Sequence, residues 1–165
     1  MDKKIIIGLI GTFLAVIILA VVAFSLPEQG SETNLEASAD AKAVTDEVRH
    51  DWGEIGINDG NVEKVFDIKN EGTEPLMLYG VFTSCMCTTA QLSLDEKSSP
   101  IFGMHDNSNY VLEVPPGKTV KLKVVFDPMY HGPSGVGPIT RQIMVKTNDK
   151  NNPEMDFMLT ANVVR

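Results

Sequence analysis

The stretch KTVKLKVVFD, residues 118–127, alternates polar and apolar residues from Thr119 to Val124. Val120, Leu122, Val124 and Phe126 fall on one side of an extended chain, with Thr119, Lys121 and Lys123 on the other. Successive side chains of a strand point to opposite faces. This period of two therefore predicts a strand with one face in a core and one in water. Turn chemistry, Pro115-Pro116-Gly117, stands directly before it, and YVLEV (110–114) leads into that turn.

Working outward, NVEKVFDIKN (61–70) sets Val62, Lys64, Phe66 and Ile68 against their neighbours in a looser period of two. LMLYGVF (76–82) is apolar throughout, and HDWGEIGI (50–57), ITRQIMVKT (139–147) and MDFMLTANVV (155–164) are further β-rich runs. Asn58-Asp59-Gly60, EGTEP (71–75), a Gly/Pro-rich loop after Phe126 and NDKNNPE (148–154) separate them. No segment here has helical periodicity and no internal repeat occurs. The pattern predicts an all-β, antiparallel, Ig-like sandwich of about seven strands. Trp52 is expected to bury at its first strand, and Met77, Met144, Met155 and Met158 to fill its core.

The N-terminal end is of another kind. From Ile5 to Leu26 there are 22 residues without a charge. As a helix they would reach about 33 Å, enough for a hydrocarbon core of roughly 30 Å. Lys3 and Lys4 precede the run and Glu28, Glu32 and Glu36 follow it. The positive-inside tendency keeps the first residues in the cytoplasm and exports the rest. The expected organisation is a cytoplasmic stub (1–4), one transmembrane helix (5–26), a flexible acidic tether (27–46) and the sandwich domain (47–165). A cleaved signal peptide is the competing reading of the apolar run, although that run exceeds the usual 7–15 residues. In either case the domain is extracytoplasmic, periplasmic or at the cell surface. Removing residues 1–26 leaves 12 basic and 21 acidic residues, a net charge of −9. Phosphate backbones would repel such a surface, which excludes nucleic acid as a partner.

Several short motifs resemble one known family. Phe66 with Lys69-Asn70, Ser84-Cys85 with Cys87-Thr88, Pro116-Gly117, Phe126-Asp127-Pro128 and Thr147-Asn148-Asp149 are similar to those of the bacterial Ig-like domain of unknown function 1573, related to Hydin-type Ig modules. The resemblance spans about residues 50–165. It implies an exported Ig-like sandwich and supplies no activity. This chain departs from the family pattern in having Met86 between the cysteines. It also enlarges the segments containing IFGMHDN (101–107) and DPMYHGPSGVGP (127–138).

TSCMCTT (83–89) contains both cysteines of the chain. If consecutive strands run antiparallel, Cys85, Met86 and Cys87 lie at one end of the sandwich. The loops carrying Met104 with His105, and Met129 with His131, would lie at that same end. Loops gathered at one end of a sandwich are the usual place for a binding site. Thiolate and thioether are soft donors that select Cu(I), and two thiolates with imidazole also suit Zn(II). The candidate ligands are Cys85, Cys87, His131, His105, Met129 and Met104. Two other readings of the cysteines stand beside this one. Export favours disulfides, and a bond across one residue would be labile; alternatively, both thiols only pack.

No nucleophile elbow or phosphate-cradling loop occurs, so the domain is not expected to be an enzyme. Two functions remain. One is a membrane-anchored domain that binds Cu(I) for delivery, buffering or sensing, served by an envelope metalloprotein. The other is a metal-free Ig-like module that recognises another envelope protein.

Overall fold

The computed structural model describes residues 35–106 and 108–165. The stub (1–4), the apolar run (5–26) and the first part of the expected tether (27–34) lie outside the described residues. Among the described residues no helix is long and apolar enough to cross a membrane.

Ten strands occur among these residues: β1 (Ala43–Val44), β2 (Arg49–Gly56), β3 (Val62–Asn70), β4 (Leu76–Thr83), β5 (Thr88–Leu94), β6 (Lys97–Ser98), β7 (Val111–Val114), β8 (Thr119–Phe126), β9 (Gly137–Thr147) and β10 (Glu154–Val164). They form two sheets of five, in the orders β1-β3-β8-β5-β6 and β2-β10-β9-β4-β7. This is an all-β, two-sheet, Ig-like sandwich. The alternation that predicts it is visible in the burial: Val120, Leu122, Val124 and Phe126 of β8 all face the core. Phe66 on β3 and Phe157 on β10 meet across the sheets with ring centroids 4.9 Å apart, both almost wholly buried. Fully burying side chains of this size stabilises by about 1.5–3 kcal/mol each.

Four expectations need correction. First, the enlarged segment between Cys87 and Tyr110 is not loop throughout. It opens with β5, whose inward positions are Thr88, Ala90, Leu92 and Leu94. Two of these are small or polar, which weakens the hydrophobic contrast that marks a strand. Second, the sandwich is not wholly antiparallel, because β2 pairs parallel with β10. The first long strand lies beside the last, so no hairpin dictates their direction. Third, only Met155 enters the core. Met77, Met144 and Met158 take the opposite parity on β4, β9 and β10 and are half-buried on the outer face. Fourth, the domain begins before Glu47, where the acidic composition suggested a tether.

Residues 38–44 form a strap along the bottom of the sandwich. Ser38 bridges to Asp149, and β1 pairs with β3 at Ala43↔Asn70 and Val44↔Lys69. Asp149 is 2% exposed; one carboxylate oxygen accepts from the Ala43 amide at 2.9 Å and the other from Asn151 at 2.8 Å. The strap also accepts donors from the turn after β3, Glu71 N–H to the Lys42 carbonyl and Thr73 N–H to that of Asp40, both at 2.8 Å. Gly72 allows this approach, since a Cβ there would stand 2.1 Å from the Asp40 carbonyl oxygen. Ala41 and Ala43 are buried as a result.

Asp149→Ala leaves the Ala43 amide without its acceptor, so a loss of about 1–3 kcal/mol is expected. Urea denaturation should show a lower midpoint with an unchanged slope. Gly72→Ala should give faster amide exchange at Ala43 and Val44, and unchanged exchange there would refute the strap.

Candidate metal centre

Of the connections that cross between the sheets at the top of the sandwich, two lie side by side. Residues 84–87 lead from β4 in the second sheet to β5 in the first, and residues 127–136 lead from β8 in the first to β9 in the second. β4 pairs with β9 and β5 with β8. The two crossings therefore start and finish on hydrogen-bonded neighbours and run side by side. The pairing continues into both. Ser84 N–H donates to the Gln142 carbonyl at 2.9 Å, and Asp127 N–H to that of Cys87 at 2.9 Å.

Local chemistry shapes each crossing. The buried Thr83 hydroxyl reaches the Thr88 carbonyl at 2.9 Å and lies 3.2 Å from that of Cys85, while Thr88 N–H closes the turn on Cys85. In the other crossing an Asp127 carboxylate oxygen accepts from Met129 N–H at 2.8 Å. A short 3₁₀ turn, Gly132–Gly135, follows His131. Gly135 packs close against His131: a Cβ at 135 would lie 3.3 Å from the His131 Cβ and 3.4 Å from the Pro128 carbonyl oxygen.

The outcome is a compact set of donors. Cys85 and Cys87 are joined as a disulfide. Cys85 Sγ lies 3.5 Å from His131 Nε2. One ligand atom from each of Cys85, Cys87 and His131 can be chosen so that all three lie within 4.8 Å of one another. Burial is graded across the three. Cys87 is 3% exposed and sits on a small apolar cluster with Ile55, Ile57, Phe126, Ala161 and Val163. Cys85 is half-buried at its edge, and His131 is exposed. Trp52 is only half-buried; it stacks on Phe126 at 5.9 Å and packs against the same cluster.

Of the other candidates, Met129 is exposed two residues before His131 in the same crossing. Met104 and His105 lie on another crossing at this end. After β5 the chain descends to β6, returns beside β5 as far as the Ala90↔Phe102 bridge, and crosses from there to β7. Met104 is half-buried on that third crossing and His105 is exposed. His105 does not join the three-residue group.

Sequence reasoning missed Arg141. Its Nε–H donates to Cys87 Sγ at 3.1 Å, and its guanidinium lies 5.3 Å from the centroid of the Phe126 ring. Another of its nitrogens donates to the Thr140 carbonyl. Burial lowers the Arg141 pKa from its ordinary value, but a guanidinium remains charged in a protein. Among the described residues no carboxylate forms a salt bridge with it. The signal for it was parity. Arg141 shares the register of the buried Ile143 and Val145, so β9 points a cation inward where the sandwich opens.

Residues 43–100 match the family described as Protein of unknown function (DUF1573). The match runs from β1 through the cysteine turn and β5 and supports that domain family over these residues. No curated protein matches the chain. A protein of unknown function from Porphyromonas gingivalis is similar in structure, with a TM-score of 0.58 and 21% identity over 80% of this chain and 51% of that one. The chain thus spans about half the length of that relative. The ASH/PapD-like domain 7 of human CEP192 aligns with a TM-score of 0.47 and 12% identity, covering 86% of this chain and 96% of that one. The YadV chaperone aligns at 0.45 and 11%, covering 74% and 52%. At 21% identity the first of these likenesses bears on the fold alone.

The burial gradient predicts unequal thiols once the protein is reduced. Iodoacetamide should label Cys85 about tenfold faster than Cys87, because access limits a buried thiol. Mass spectrometry of timed samples would detect it, and equal rates would contradict the placement of Cys87 in the apolar cluster.

Proposed function

We propose that this domain is a non-catalytic, extracytoplasmic binder of a soft metal ion, Cu(I) in preference to Zn(II), tethered to the membrane by residues 5–26. The ligands are the reduced thiolates of Cys85 and Cys87 with the His131 imidazole, and Met129 is an auxiliary thioether. Met104 and His105, on the third crossing, are not needed. Two thiolates and an imidazole are a soft donor set suited to Cu(I). Donor atoms sharing one ion through bonds of roughly 2.0–2.3 Å stand about 3.5–4 Å apart. The span within 4.8 Å is close to that, so reduction and small side-chain rotations suffice.

The observation that carries the choice of metal is Arg141, 3.1 Å from Cys87 Sγ. Cu(I) with two thiolates carries a net charge of −1, which the guanidinium neutralises. Zn(II) with the same ligands is neutral and leaves the cation uncompensated on a partly apolar surface, which is unfavourable. Met86, Met129 and Tyr130 are exposed apolar residues on the two crossings. They offer a surface to an envelope protein that delivers or receives the ion. The same surface favours the second reading, a metal-free interaction module.

The test is an anaerobic titration of the reduced full-length chain in detergent with Cu(I), against a chromophoric chelator. One equivalent should bind tightly, and the double variant Cys85→Ser, Cys87→Ser should lose that binding. Arg141→Gln should weaken Cu(I) by roughly 10–100-fold, the range for groups that support metal ligands, and leave Zn(II) affinity unchanged or higher. Binding by the native chain no tighter than by the double variant would leave only the interaction module.

A further inference from the structure

The disulfide between Cys85 and Cys87 is polarised by its surroundings. Cys85 is half-buried at the rim with the His131 ring 3.5 Å from its sulfur, whereas Cys87 is 3% exposed and faces a guanidinium at 3.1 Å. The Thr88 hydroxyl lies 3.7 Å from the Cys87 sulfur and adds a second polar neighbour. Thiol–disulfide exchange depends on which sulfur is accessible and how well the other leaves as an anion. Here one sulfur offers access, and the other has a fixed cation, without a carboxylate partner among the described residues, placed to receive negative charge.

We infer that this pair is a thiol–disulfide exchange centre, attacked at Cys85 and released at Cys87, whose reductant is a dithiol. One thiolate of the dithiol attacks Cys85 Sγ and forms a mixed disulfide. The Cys85–Cys87 bond breaks and its electron pair leaves on Cys87 Sγ, beside the Arg141 Nε–H. The dithiol's second sulfur then attacks its own sulfur in the mixed disulfide, closes the reductant's disulfide and expels Cys85. The two electrons come from the dithiol, and its two thiol protons pass to the released cysteines.

The requirement for a dithiol follows from the spacing. Cys87 is two residues from Cys85, with Cα atoms 5.3 Å apart, and its amide points at the Cys85 sulfur at 3.4 Å. A released Cys87 thiolate is thus held at high effective concentration over the mixed disulfide. It expels a monothiol faster than a second monothiol molecule arrives. A dithiol competes, because its own second step is also intramolecular. This activity goes beyond metal binding and does not depend on it.

The experiment uses the full-length oxidised chain in detergent with a metal chelator present. Dithiothreitol and 2-mercaptoethanol are compared at equal total thiol, with acid quenching and mass spectrometry. Dithiothreitol should take the pair to two thiols, while the monothiol leaves most of it as disulfide. The small trapped adduct should map to Cys85 by fragment ions across Met86. Arg141→Met should slow opening by about 10–100-fold, the effect expected of a poorer leaving group, and Arg141→Lys should recover most of the rate. Reduction equally efficient with the monothiol, an adduct at Cys87, or an unchanged rate in Arg141→Met would each overturn the inference. So would protein isolated without reductant that carries two free thiols. None of these outcomes bears on Cu(I) binding by the reduced chain, so failure of one reading leaves the other standing.

Discussion

The pairing of β4 with β9 in one sheet and β5 with β8 in the other is the constraint on which the site depends. A strand pair separated by under 5 Å fixes where the chain leaves each sheet to within that distance. Two crossings that begin and end on paired strands have no freedom to diverge at their roots. Cys85 and His131, 46 residues apart in the chain, are brought together by backbone hydrogen bonding and not by any affinity for each other. Thr83 and Ser84 strengthen the arrangement by carrying the pairing into the turn.

The small apolar cluster beneath the sulfurs is the second determinant. Ile55, Ile57, Phe126, Ala161 and Val163 close the top of the sandwich and give Cys87 a dry floor. Arg141 enters this layer through an inward register position, and the Phe126 ring lies within reach of its cation, an arrangement favoured by the ring's quadrupole. Charge is costly in such a layer unless a counter-charge meets it. Arg141 therefore biases the chemistry of its sulfur neighbour toward anionic forms, whether that form is a metal-bound thiolate or a leaving group. The proposed binding and exchange reactions use the same electrostatic feature in two oxidation states.

The bottom of the molecule follows a different rule. There the buried polar residues Asn70, Thr147, Asn148 and Asp149 are spent on backbone amides and carbonyls of the strap and neighbouring turns. They fall within motifs that the sequence shares with its family resemblance, and their role is architectural. Buried polar groups need partners, and here most of those partners come from segments distant in the chain.

Strand periodicity was legible wherever large apolar and charged residues alternate, as in β3 and β8, because one such strand reports its buried face directly. β5 was not, since Thr88 and Ala90 face inward with little hydrophobic contrast. The strap was hidden because its burial rests on alanines and on hydrogen bonds to residues about 30 or more than a hundred positions away. Strand order along the chain was enough to bring Cys85, Cys87 and His131 to one end of an all-β sandwich. It could not say which of the loops there adjoin, since that depended on which strands are neighbours within each sheet. Nor did it reveal Arg141 as a partner of Cys87. Register, pairing and facing across two sheets are non-local quantities, and only the assembled tertiary structure decides them.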